Sequence, residues 1–184
     1  MKDHWKNIFG WFDYAEVLDA AVERLNDGDI IVELGTFLGA STCYFAQKIK
    51  EKNVKVTYYA CDIFEAPKVD HIPEEYWGDF YQKFLENLVK QDVNTIVTPV
   101  CRNSLDFADF FNDGAVSFIY IDDNHEVEHV YKEMNLWYPK LRKEGVMAGH
   151  DYNAVKDAVI RFCDERGLSY FRTGGSWTLT EGEK

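Results

Sequence analysis

Five short stretches carry most of the groups able to hold or transform a small polar ligand. In Glu33-Leu34-Gly35-Thr36-Phe37-Leu38-Gly39-Ala40-Ser41, two glycines stand in a G-x-x-x-G spacing, with an acid two residues before the first. Gly35 permits a tight turn, and Gly39 lets the start of a helix approach a ligand closely. Asp62, followed by Ile63, closes the apolar run Tyr58-Tyr59-Ala60-Cys61. A carboxylate there can accept hydrogen bonds from a vicinal diol; the plainer reading is a helix cap or a loop acid. Arg102-Asn103-Ser104 follows a third apolar run. Asp122-Asp123-Asn124-His125 and Gly149-His150-Asp151-Tyr152 follow two more. Acids and histidines at neighbouring tips are what a general base or a hard cation needs: imidazole takes a proton near neutral pH, and carboxylate oxygens coordinate an ion such as magnesium. A merely solvated cluster is the alternative.

These tips are useful only if the elements before them point the same way. Ala15 to Leu25 has helical spacing and stops at Asn26-Asp27-Gly28-Asp29. Apolar runs at Ile30–Leu34, Val54–Cys61, Thr95–Val100, Val116–Ile121 and Val146–Ala148 read as strands. Between and after them, Ser41–Lys50, Asp79–Lys90, Leu105–Phe111, Val127–Leu141 and Ala154–Arg166 read as helices. Continuous apolar strands alternating with helices predict an α/β fold, an open twisted sheet that is mostly parallel with helices on both faces. Ser169–Arg172, the turn Thr173-Gly174-Gly175-Ser176 and Trp177–Thr180 predict an antiparallel C-terminal hairpin. In such a sheet ligands sit beyond the carboxyl ends of the strands, where all five stretches fall.

Composition narrows the partners. The 20 Lys and Arg against 32 Asp and Glu give a net charge of −12, which repels a phosphate backbone and argues against nucleic acid. Cys43, Cys61, Cys101 and Cys163 form no C-x-x-C pair and suit a reducing cytoplasm. No run approaches a membrane span, and Met1 to Lys6 leads into an amphipathic stretch unlike a signal peptide, so a soluble, unprocessed chain is expected. The 184 residues suit one domain, with 1–28 as an N-terminal helical cap. Aromatic residues crowd Trp5, Phe9, Trp11, Phe12 and Tyr14, and again Tyr76, Trp77, Phe80 and Tyr81. They suit a lid over a sugar or aromatic acceptor, or ordinary core packing and a homodimer contact.

Taken together, these motifs resemble the class I S-adenosylmethionine-dependent methyltransferases, and within them the small macrocin-type sugar O-methyltransferase group. The resemblance runs from about Ile30 to Tyr152 and rests on Val32–Ser41, Ala60-Cys61-Asp62, Phe118–His125, Leu136–Leu141 and Gly145–Tyr152. It implies a Rossmann-like, seven-stranded methyltransferase fold. It places Glu33, Gly35, Thr36, Phe37, Gly39 and Ser41 in the cofactor loop, Glu33 and Gly35 at the methionine end. Asp62 with Ile63 would lie at the ribose, Asn103-Ser104 near the adenine and Asp122 beside the sulfonium. It implies Asp122, His150 and Asp151 as the positions for a divalent ion. Asp123 departs from the pattern, since the group often has glycine there.

The expected reaction is methyl transfer to a hydroxyl oxygen of a small molecule, sugar or phenol-like, with His125 as general base, His150 as the next candidate and Asp122 beside them. For His125 the alternative is an N-cap or a ring bonded to a backbone carbonyl. Two other functions compete. A nicotinamide-dinucleotide oxidoreductase would normally show G-x-G-x-x-G, and this loop lacks the middle glycine. A cofactor-binding or assembly protein without turnover would have no need to hold like charges together.

Overall fold

The computed structural model describes residues 4–65, 72–74 and 78–181. Seven strands, β1 (Ile30–Leu34), β2 (Thr57–Asp62), β3 (Val97–Cys101), β4 (Val116–Ile121), β5 (Leu141–Gly149), β6 (Leu168–Thr173) and β7 (Ser176–Glu181), form one sheet in the order β3-β2-β1-β4-β5-β7-β6. β1 pairs in parallel with both β2 and β4, and the sheet extends in parallel to β3 and β5. β7 runs antiparallel between β5 and β6. The expected open sheet with an antiparallel end is thus the fold.

The helices are α1 (Ala15–Arg24), α2 (Ala40–Lys52), α3 (Phe80–Lys90), α4 (Ser104–Phe107), α5 (Val127–Trp137) and α6 (Tyr152–Arg166). Alternation of side chains along each strand feeds two apolar layers. Ile31, Tyr58, Ala60, Phe118 and Tyr120 join residues of α1, α2 and α3 on one face. Val32, Leu34, Cys61, Ile119 and Ile121 join residues of α4, α5 and α6 on the other.

Some boundaries differ from the sequence pattern. α5 stops at Trp137, not Leu141, because Pro139 follows in a short 3-10 turn and a proline supplies no N–H to continue a helix. The residues freed open β5 at Leu141, where Leu141 pairs with Val116 and Val146 with Phe118, bulging the segment between. The expected helix Leu105–Phe111 is only α4 plus a 3-10 turn at Ala108–Phe110. The second strand begins at Thr57, after Gly28 and Asp29 have tied its approach through Lys55 and Thr57.

Two features aim the sheet's carboxyl edge. Gly149 faces the ring of Trp177, and a Cβ there would sit 2.4 Å from it. The Trp177 indole N–H then donates to the His150 carbonyl at 3.2 Å and fixes the tip of β5. The N-terminal segment folds over the same edge, anchored by Trp5 and Phe12 against Tyr44 at ring separations of 5.0 and 5.1 Å. Among the described residues no helix is long and apolar enough to cross a membrane.

Candidate active site

A cleft of about 930 Å³ opens at the carboxyl ends of β1, β2 and β4, with Phe9 to Tyr14 as its opposite wall. That volume falls in the range of small-molecule and cofactor sites. Among the described residues its lining contains acids and histidines but no lysine or arginine.

The β1–α2 loop is built by its own backbone. Gly35 adopts φ +82°, and a Cβ there would lie 2.2 Å from the Asp122 carbonyl oxygen, so glycine lets the tips of β1 and β4 pass. The amides of Thr36 and Phe37 both donate to Asp62 Oδ2 at 2.8 Å, and the Phe64 amide donates to Oδ1 at 2.7 Å. Burial raises the Asp62 pKa, and these amides work against that rise. Phe37 holds φ +46°, a conformation uncommon for a bulky residue. Thr36 Oγ1 is buried without a partner at the cleft wall.

Three expected site residues stand behind this wall. Glu33 is 2% exposed and faces α2, accepting from Ser41 at 2.6 Å, Thr42 at 2.7 Å and Tyr58 at 2.5 Å. Its position follows from alternation, since its neighbours Val32 and Leu34 face the other layer. At Gly39 a Cβ would meet the Phe84 ring at 2.9 Å, so this glycine serves the packing of α2 on α3. Ser104 is buried at the start of α4, where Asn103 caps the helix by accepting from the Leu105 amide at 2.9 Å. Gly35, Thr36, Phe37, Ser41, Asp62, Ile63 and Asn103 border the cleft.

At the other end, β4 and β5 bring Asp122, His125, His150 and Asp151 together. Asp122 Oδ2 accepts from the Tyr14 hydroxyl at 2.8 Å, and its Oδ1 lies 3.6 Å from His150 Nδ1. Burial pushes Asp122 up to about 8, against the opposing pull of His150 and Tyr14. His150 Nε2 pairs with Asp13 at 2.8 Å, and Nδ1 lies 3.3 Å from Asp151. Burial disfavours its charge, but Asp151, Asp122 and Asp13 outweigh that and raise it to about 9. His125 Nε2 meets Asp151 Oδ2 at 2.8 Å, and this bond, opposed by partial burial, raises its pKa. The two histidines hold Asp151 well below the usual carboxylate range.

Around the expected trio Asp122, His150 and Asp151, His125 also comes close. Asp122, His125 and Asp151 each place a ligand atom within 4.8 Å of the others, whereas Asp13 engages His150 Nε2. Tyr14 and Asp13 had no signal in the sequence beyond membership of an aromatic segment, because their partners lie 108 and 137 residues away. His129, on the cleft wall, was also missed; it pairs with Asp123 and Glu133. Of the aromatic lid candidates, Phe9, Trp11, Phe12, Tyr14 and Phe80 line the cleft, while Tyr76 and Trp77 lie outside the described residues.

Residues 32–152 match the family model described as a methyltransferase domain. A search of curated proteins finds no match. Among solved structures, the chain is similar to the O-methyltransferase NovP, at 17% identity over 92% of this chain and 79% of that one, with a TM-score of 0.71. A Staphylococcus aureus protein described as a caffeoyl-CoA O-methyltransferase shares 18% identity over 97% and 88% of the two chains, with a TM-score of 0.66. A Streptococcus mutans protein described as a methyltransferase, solved with SAH, shares 12% identity over 93% and 97%, with a TM-score of 0.64. At such identities the likeness is one of fold.

Proposed function

Since the chain belongs to the methyltransferase-domain family, with two thirds of its length in the match, we propose that it transfers the methyl group of S-adenosylmethionine to a hydroxyl oxygen of a small molecule. The observation that carries this reading is the cleft's charge: five aspartates and a glutamate, and no lysine or arginine, among its described lining residues. Such a wall suits a sulfonium cation and a ribose diol, while its carboxylates oppose a pyrophosphate.

Asp62 keeps acceptor capacity on Oδ1 for a ribose hydroxyl while its other oxygen shapes the loop. Ile63 and Asn103 flank the position for the adenine. Asp122 lies where the sulfonium would come. A buried carboxylate raised to about 8 regains its charge most readily beside a cation. Phe9, Trp11 and Phe37 form an aromatic cluster on the cleft wall, with ring centroids 5.4 to 6.1 Å apart, which suits a sugar or aromatic acceptor.

His125 serves as the general base. Asp151 holds its Nε2 proton, leaving the Nδ1 lone pair to accept the hydroxyl proton as the oxygen attacks. His150, raised to about 9, is already protonated near neutral pH and instead orients Asp122 and Asp151. The donor set of two carboxylates and one imidazole also fits a divalent ion at Asp122, His125 and Asp151, manganese or zinc better than magnesium. Such an ion, when bound, supplies Lewis acidity toward the acceptor oxygen.

Mass spectrometry of the small molecules released from purified protein tests the cofactor. Adenosylmethionine or adenosylhomocysteine is expected, and calorimetry showing no binding of either would refute the reading. With a panel of hydroxylated acceptors, turnover that persists after EDTA but falls about 100-fold in His125→Ala supports the base. Full turnover in that variant excludes it, and loss on EDTA with recovery on manganese assigns the ion instead.

A further inference from the structure

The structure assigns a second divalent-cation site to Asp123, His129 and Glu133, on the first turns of α5 and separate from the Asp122 cluster. Each of the three offers a ligand atom within 4.8 Å of the others. His129 and Glu133 are four residues apart on one helical face, and Asp123 reaches them from the tip of β4.

The state of these groups without an ion points to a ligand. Glu133 is completely buried, and both of its carboxylate oxygens lack a hydrogen-bond partner. Ser104, from a different helix and 2% exposed, is close enough to Glu133 to favour its charged form, yet its hydroxyl makes no hydrogen bond of normal geometry. His129 Nε2 is the fourth orphan, 3.6 Å from Asp123 Oδ1 and 3.7 Å from Glu133 Oε1. Buried polar atoms left in this way are costly, and four together are rare in a native interior.

The spacing also fits. Imidazole and carboxylate ligands at about 2.0–2.2 Å from a tetrahedral ion stand roughly 3.3–3.6 Å apart, close to the two distances here and beyond hydrogen-bond length. One imidazole and two carboxylates are a zinc- or manganese-type donor set, and their two negative charges balance a divalent ion. Three protein ligands would leave a fourth position on a tetrahedral ion for a water. Without an ion, burial pushes Glu133 up to about 7, opposed by His129. Asp123, which stands where the resembling group often has glycine, thereby gains a purpose: it ties the β4 tip to α5 through the metal. None of this depends on the methyl-transfer reading.

Tag-free protein stripped with EDTA is titrated calorimetrically with zinc chloride and with manganese chloride, and melted with and without each salt. The wild type is expected to bind an ion that raises its melting temperature. Glu133→Gln, nearly isosteric, and His129→Ala, at the cleft wall, should each weaken that binding at least tenfold, while Asp151→Asn leaves it intact. Circular dichroism checks the fold, and His129→Ala carries the test should Glu133→Gln fail to fold. No ion bound by the wild type, equal binding by both variants, or binding that disappears only with Asp151→Asn would each show that this cluster holds no metal.

Discussion

Replacing Glu33 separates a structural post from a cofactor ligand. Its buried carboxylate accepts hydroxyls from Ser41, Thr42 and Tyr58, joining β1 to the first turn of α2 and to β2. Alanine leaves three buried donors without their acceptor. Each hydrogen bond to a charged group contributes about 1.5–3 kcal/mol, but removing the carboxylate also removes its own desolvation penalty, so the net loss is about 3–5 kcal/mol. For a chain of this size, 1 kcal/mol shifts the melting temperature by about 2–4 °C, which gives a fall of roughly 6–20 °C. Glu33→Gln keeps the shape and one acceptor oxygen and should lose about 1–2 kcal/mol. Its pH dependence is a second signature. Burial raises the Glu33 pKa, with Ser41, Tyr58 and Thr42 pulling it back. The native state therefore binds this proton more tightly than the unfolded chain, and wild-type stability declines as pH climbs from the ordinary glutamate value to the raised native one. Glutamine lacks that slope, so the gap between the two proteins is widest below this window and narrows across it. Urea denaturation followed by tryptophan fluorescence measures the stabilities, and calorimetry with adenosylhomocysteine measures cofactor affinity. An alanine variant that melts with the wild type but no longer binds the cofactor would show that Glu33 is a ligand and that its network carries little stability.

Gly35→Ala should lose about 2–5 kcal/mol in a thermal melt, combining a left-handed residue at about 1–2 kcal/mol with overpacking at about 1–3 kcal/mol. Its Cβ would sit 2.2 Å from the Asp122 carbonyl, so adenosylhomocysteine affinity should fall as Asp122 is displaced; a loss below about 1 kcal/mol would mean that the strand tips move apart freely. Asp62→Asn replaces an acceptor of three backbone amides by a group with only one acceptor oxygen, leaving one side of the loop unpaired. The expected cost is about 1–3 kcal/mol in urea unfolding, with cofactor Kd rising about tenfold, and unchanged values of both would exclude the loop-shaping role.

What the sequence could reveal depended on whether the cause was local. Ile30–Leu34 and Val116–Ile121 are strands residue for residue as the apolar runs suggest, because a parallel strand buried on both faces has no other pattern. The meeting of Asp122, His125, His150 and Asp151 was legible too, since such a sheet brings the ends of β4 and β5 to one edge. Asp13 and Tyr14 were not, because only the completed fold lays the N-terminal segment over that edge. Glu33 was readable in principle: alternation along β1 turns it toward α2, where Ser41 and Thr42 supply the donors. The acid beside a glycine turn drew attention to the cleft instead. The two aspartates at the end of β4 show the remaining gap. Asp122 goes to Tyr14 and His150, Asp123 to His129, which also faces Glu133. Adjacent in sequence and identical in type, they part because the N-terminal segment and α5 approach the strand tip from different sides, and that difference belongs to the packing of the helices.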